Sequence, residues 1–319
     1  MGLSFLFFTA CQTSSVTPAK DFETFSFRKL KEFSIQEVTV TASDQAWPVF
    51  SNVDREGLAV NSQSLSFAVI GSTSHKNEVW PYPELVKKIS DEKVDFIVHT
   101  GDYISDSNVW SAWWAQFYKP SLDLFKRFPF ILLRGHHERE ISSEDWIEIG
   151  DLIFIHFDFA EFETRAEALK KLQALVARIA AVKKKEVWFL SHQPVIGYKP
   201  NSEDAEPEAI PALLKNLLKE SGLLTKIDYI LSGHIKNQQI VLTEPNLKQF
   251  IVGTTGEALE PFGRQIKSQS LVSSTESKKN FGYAVFQRQG LRKWDVTFKG
   301  TEAQVLLKCQ LRLQKLTCD

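Results

Sequence analysis

Five of the seven histidines in this chain, His75, His136, His137, His192 and His234, stand just after short apolar runs. Asp102 does the same in Thr100-Gly101-Asp102. Short apolar runs bounded by turn residues read as buried strands. Side chains at strand C-terminal ends point into the crevice where open α/β sheets bind ligands. Several such residues at successive strand ends are better explained by one shared site. The alternative reading is a set of scattered core or surface histidines. The local contexts are Gly135-His136-His137-Glu138, Ser191-His192-Gln193-Pro194 and Gly233-His234-Ile235-Lys236. Gly101 permits a tight turn in front of Asp102.

The elements that must position these residues follow from the hydrophobic pattern. Strands are expected at Glu37 to Thr41, Ser66 to Ile70, Val94 to His99, Phe130 to Leu133, Leu152 to Phe157, Val187 to Leu190 and Ile227 to Leu231. Beyond Gln238 the pattern turns mostly β, at Ile240 to Thr243, Phe250 to Val252, Tyr283 to Phe286, Val296 to Phe298 and Val305 to Leu307. Helical spacing marks Val86 to Ile89, Trp110 to Phe125 and, most clearly, Ala160 to Ala181. In the last, Leu169, Leu172, Leu175, Val176 and Ile179 recur at steps of three and four. Lys183 to Lys185 closes it, as cations complement a helix C-terminus. The aromatic segment Trp110 to Tyr118 reads either as a cleft wall or as a helix packed in the core. Strands alternating with helices and then running on argue for a layered α/β domain.

The composition agrees. A chain of 319 residues, 43% hydrophobic and 24% charged, can bury a sizeable core. A net charge of -1 gives no footprint for nucleic acid, which shows as a strongly basic domain. No apolar stretch long enough for a membrane span follows the N-terminus. Near the N-terminus the run Leu3 to Ala10 ends at Cys11 and a polar stretch. This resembles a bacterial lipoprotein signal, with Phe8-Thr9-Ala10-Cys11 as the lipobox and Cys11 lipidated. It departs from the usual pattern in having no Lys or Arg before Cys11 and in Phe8. The other reading is an apolar terminus with a free thiol. The expected division is residues 1–11 as signal segment, 12–35 as tether and 36–319 as the domain. A hairpin joining Gln304 to Leu307 with Leu311 to Leu316 would bring Cys309 and Cys318 together as a disulfide, consistent with an oxidising compartment. Two free buried thiols are the alternative.

In order, these motifs resemble those of the calcineurin-like metallophosphoesterases, which include the purple acid phosphatases. The order holds from Ser72 to Lys236, and Phe281-Gly282-Tyr283-Ala284-Val285 extends the likeness. The resemblance implies a four-layer α/β/β/α sandwich of two mostly mixed β-sheets flanked by helices. It implies two metal ions. Asp102 matches the bridging carboxylate, and His136 takes the place of the family's Asn ligand. His192 and His234 match histidine ligands. His137 matches the catalytic His, and Glu138 the acid that orients it. The other ion's positions carry Ser72, Ser74 and Lys236 in place of Asp, His and His. His75, one place late, is a possible substitute ligand.

The resemblance therefore implies one divalent ion, Zn, Fe or Mn, with the second doubtful. Lys236 would replace the missing charge, pair with Asp102, and take a catalytic role with His137. The expected function is hydrolysis of a phosphate ester by a mononuclear, weak or specialised enzyme. The alternative is a catalytically inactive binding module anchored at the bacterial cell envelope, with the membrane reached by a lipid anchor only. Nucleophilic catalysis through Ser72 or Ser191 is disfavoured, because no Gly-x-Ser-x-Gly elbow is present.

Overall fold

The computed structural model describes residues 23–31, 34–43, 46–55, 62–75, 79–105, 110–138, 146–182, 186–196, 209–243, 247–259, 271–274, 280–312 and 315–319. Cys11, the signal segment and Lys183 to Lys185 lie outside these residues. The first three strands are β1 (Glu23–Lys31), β2 (Ser34–Ser43) and β3 (Ala46–Arg55). Then β4 (Ser66–Ile70), α1 (Tyr82–Ser90), β5 (Phe96–His99), α2 (Trp110–Trp113), α3 (Lys119–Arg127) and β6 (Pro129–Leu132) build one layer pair. The middle of the chain supplies β7 (Ile147–Ile149), β8 (Leu152–His156), α4 (Arg165–Ala181), β9 (Glu186–Ser191), α5 (Ala209–Ser221) and β10 (Tyr229–Ser232). The remainder is β: β11 (Gln238–Thr243), β12 (Leu247–Val252), β13 (Leu271–Ser274), β14 (Gly282–Gly290), β15 (Lys293–Gly300), β16 (Val305–Arg312) and β17 (Lys315–Cys318).

Among the described residues these strands form two mixed sheets. The ten-stranded sheet has the order β17-β16-β15-β14-β4-β5-β6-β1-β2-β3, and the seven-stranded sheet β13-β11-β12-β10-β9-β8-β7. Strands β4, β5 and β6 run parallel in the first. Strands β8, β9, β10 and β12 run parallel in the second.

The sequence alternates so that each central strand feeds two cores, as the period of two requires. Phe67 and Val69 of β4 enter the core between the sheets, where they meet Trp188 and Leu190 of β9. Ala68 and Ile70 face the other way, onto α1 and the helix after β5. Val187 and Phe189 of β9 pack under α4 and α5. Three cores separate four layers, so the observed architecture is the expected α/β/β/α sandwich. The aromatic segment is core: Trp113, Trp114, Phe117 and Tyr118 are all buried under the first sheet.

Several expected boundaries are corrected. The tether expected over 12–35 is strand from Glu23, because β1 and β2 pair along their length. The long helix starts at Arg165, not Ala160. Thr164 and Glu167 form a reciprocal capping box there, and a short 3-10 turn at Phe159–Glu161 precedes it. The C-terminal hairpin turns later than expected. β16 runs through to Arg312, and β17 then places Cys318 directly opposite Cys309. The two are joined as a disulfide.

Candidate metal centre

Parallel strands of both sheets end on one side of the sandwich, and four donors meet there. Asp102 follows β5, His136 follows β6, His192 follows β9 and His234 follows β10. One ligand atom from each lies within 4.8 Å of all the others. The turns that carry them are strained. Among the described residues five non-glycines have positive φ, and three are in this region: Ser72 at 52°, Asp102 at 58° and His234 at 64°. Such conformations cost about 1–3 kcal/mol each and collect at functional sites. Gly101 must be glycine. Its φ is 98°, and a Cβ would come within 2.6 Å of His192 Nδ1 and 2.8 Å of the Gly135 backbone.

Contacts beyond the donors fix their orientation. His192 Nδ1 donates to the Thr100 carbonyl at 2.7 Å, which turns Nε2 toward the site. His136 turns Nδ1 to His192 and Nε2 to the Gln193 amide at 3.1 Å. Its backbone N–H donates to Asp102 Oδ1 at 3.0 Å. His99, at the end of β5, supports the same turn. It accepts from the Gly101 N–H at 3.1 Å and meets Thr73 Oγ1 at 3.0 Å. Burial holds its imidazole well below its ordinary pKa, so it stays neutral.

Electrostatics favour a charged carboxylate at Asp102 and a neutral imidazole at His136. Burial raises the Asp102 pKa, but the neighbouring His192, His137 and His136 and a backbone donor outweigh it, so the net shift is downward. Burial and then the His192 charge lower His136. Both conditions are those a metal ion needs of its ligands. A tetrahedral ion with bonds of about 2.0–2.1 Å spaces its donors about 3.3 Å apart. Here His136 Nδ1 lies 3.1 Å from His192 Nε2, and His192 Nε2 lies 3.4 Å from Asp102 Oδ1. These two spacings suit donors that share an ion.

Three residues make contacts the sequence did not announce. Glu138 is buried. Its carboxylate accepts backbone N–H groups from Asp102, Tyr103, Ile104 and Gly135 at 2.7–3.4 Å, locking the Asp102 turn to the His136 turn. Burial and the Asp102 charge push its pKa up to about 8 against the pull of those donors. His75 is exposed and does not join the cluster. It stacks on Trp80 with centroids 4.9 Å apart, and its N–H bonds Gln116. Lys236 pairs with Glu257, not with Asp102. Ser74 Oγ donates to the other oxygen of the same carboxylate. Ser72 Oγ is buried with no hydrogen-bond partner among the described residues. His137 is half-buried beside His136 and within electrostatic reach of Asp102.

Glu257 was not singled out from the sequence, although it follows β12 and so obeys the same strand-end rule as the ligands. The cleft wall was missed as well. A cleft of about 470 Å³ opens beside His136 and His192, lined also by Arg134, Phe157, Asp158 and Gln193. Arg134 and Asp158 form an ion pair in that wall.

With this geometry in hand, residues 75–238 match the sequence profile of the calcineurin-like phosphoesterases. No curated protein matches the chain. Among solved structures, the purple acid phosphatase PPD1 from yellow lupin (Lupinus luteus) seeds is similar, with a TM-score of 0.64 and 14% identity over 85% of this chain. The chain spans 58% of that protein's length. GAP50, the anchor in the inner membrane complex of Plasmodium, gives 0.57 and 14% over 80% of this chain and 90% of that one. A dimetal phosphatase from Danio rerio gives 0.52 and 11% over 78% and 99%. At these identities the likeness is one of fold.

Proposed function

This chain belongs to the calcineurin-like phosphoesterase family, and from that premise we propose that it hydrolyses a phosphate ester with one divalent ion, Zn²⁺, Fe or Mn²⁺. The observation that carries the reading is the convergence of Asp102, His136, His192 and His234 within 4.8 Å, at the wall of an open cleft. An ion bound there supplies positive charge to the phosphate oxygens and acidifies a water.

The chain's own residues do the rest. Asp102 brings the negative charge that holds the ion, and the Thr100 carbonyl keeps His192 in the ligating tautomer. Glu138 keeps the two ligand turns in register through its four backbone contacts. His137, next in sequence to a ligand and half-buried, gives a proton to the leaving oxygen. Lys236 contributes less charge than an unpaired ammonium, because Glu257 compensates it. That fits a weak or specialised enzyme.

The experiment is a phosphodiester and phosphomonoester assay of the purified full chain in Mn²⁺, Zn²⁺ or Fe²⁺. Turnover is expected, with Asp102→Ala lowering it at least a hundredfold and removing bound metal. No turnover in any of the three ions overturns the hydrolase reading. It would favour the second reading, a non-catalytic binding module of the cell envelope. One observation favours that reading: Ser74 and Lys236, at positions where the family resemblance implies ligands of a second ion, are engaged by Glu257 instead. Anchoring through a lipid on Cys11 belongs to either reading. It predicts that labelled palmitate enters the protein and that Cys11→Ser abolishes the label; an unlabelled wild type excludes it.

A further inference from the structure

The half of the centre that lacks metal donors is built, not open. Ser74 lies in the turn after β4, Lys236 in the turn after β10 and Glu257 in the segment after β12. Three strand ends from two sheets thus converge on one carboxylate. Glu257 is 1% exposed at its side chain and Lys236 25%. The segment is tied down. The Glu257 N–H donates to the Ser72 carbonyl at 2.8 Å and the Thr255 N–H to the Gly71 carbonyl at 3.1 Å. The first turn is tied in turn to the ligand turn: Ser72 N–H to Gly101 O at 3.0 Å, and Thr73 N–H to Asp102 O at 2.9 Å.

We propose that Ser74, Glu257 and Lys236 form a latent cation site beside Asp102, closed by the chain's own ammonium. The proposal rests on reading Asp102 and the three histidines as a metal centre. A cation needs lone pairs, and Lys236 offers only N–H donors. The Ser74 hydroxyl spends its proton on Glu257, and the ammonium cancels the carboxylate's charge. Here the residues do not fit the second ion that a dimetal relative holds. Breaking a buried ion pair by removing one partner is costly. Without Lys236, the Glu257 carboxylate loses the ammonium at its Oε2, and a cation no longer has that charge to compete with. A histidine at 236 would supply a lone pair in place of the competing charge. Glu257, Asp102 and that imidazole would then hold an ion.

The test counts metal per folded chain by elemental analysis after equilibration with Mn²⁺ or Zn²⁺. Lys236→His is expected to hold one ion more than wild type, and Lys236→His with Glu257→Ala is expected to lose the gain. An unchanged count in Lys236→His overturns the proposal, as does a wild type that already holds two ions. A gain that survives Glu257→Ala overturns the role of Glu257. Should Lys236→His not fold, Lys236→Gln, which removes the charge and offers a carbonyl lone pair, is read in the same way. A wild type holding no ion contradicts the metal centre itself, while the difference between variant and wild type still judges the latent site.

Discussion

At the scale of single residues, the four grouped donors obey a positional rule. Asp102, His136, His192 and His234 each follow a short apolar run, and the chain must end those runs where parallel strands end. Their partners were less legible. Glu138 is adjacent to the histidines in sequence, yet its work is with backbone N–H groups of a turn more than thirty residues away. No spacing rule announces such a contact. Lys236 and Glu257 meet only because β10 and β12 are neighbours in the sheet, and a lone Glu after Thr-Thr-Gly carries no motif. The clamp makes a prediction. Glu138→Ala strands four buried or partly buried N–H donors, each costing about 1 kcal/mol or more when unsatisfied. An unfolding free energy lower by about 3 kcal/mol is expected in urea titration, together with weaker metal retention. A loss under 1 kcal/mol would show that the clamp carries little.

At the scale of elements, the sequence pattern found the central strands and missed the irregular pieces. From Trp110 to Arg127 the chain is one continuous helix, but Trp114–Tyr118 is a π turn, with Lys119 N–H bonded to the Trp114 carbonyl. Pro120 accounts for it. Proline in a helix interior lacks a donor and its ring crowds the carbonyl four residues back, here that of Gln116. The Gln116 side chain accepts from the N–H of His75 and of Ser105, so the widened turn also steadies two loops beside the centre. Strand β1 was hidden because its stretch Glu23–Lys31 mixes charged and aromatic residues without a clean apolar run. At the other end, β17 is an edge strand of four residues stapled to β16 by Cys309–Cys318. Closing a loop with a sequence separation of nine stabilises by about 2–3 kcal/mol in the chain-entropy account. The double variant Cys309→Ser with Cys318→Ser should therefore lose that much unfolding free energy in urea titration while keeping its metal. Lost metal binding in a folded double variant would contradict the separation of staple and site.

At the scale of the molecule, two sheets share one core and end their parallel strands on one side. That arrangement lets residues as distant as Ser72 and Glu257 act together. Asp102 with three imidazoles has donor spacings that suit an ion. At neighbouring strand ends Lys236 and Glu257 form an ion pair. No helix among the described residues is long and apolar enough to cross a membrane. The account stands on the position of the metal. Anomalous diffraction from crystals grown with Zn²⁺ or Mn²⁺ reads that position directly. One peak is predicted, within bonding distance of Asp102, His136, His192 and His234, with none beside Glu257. Two peaks, or a peak that avoids the four donors, would contradict it.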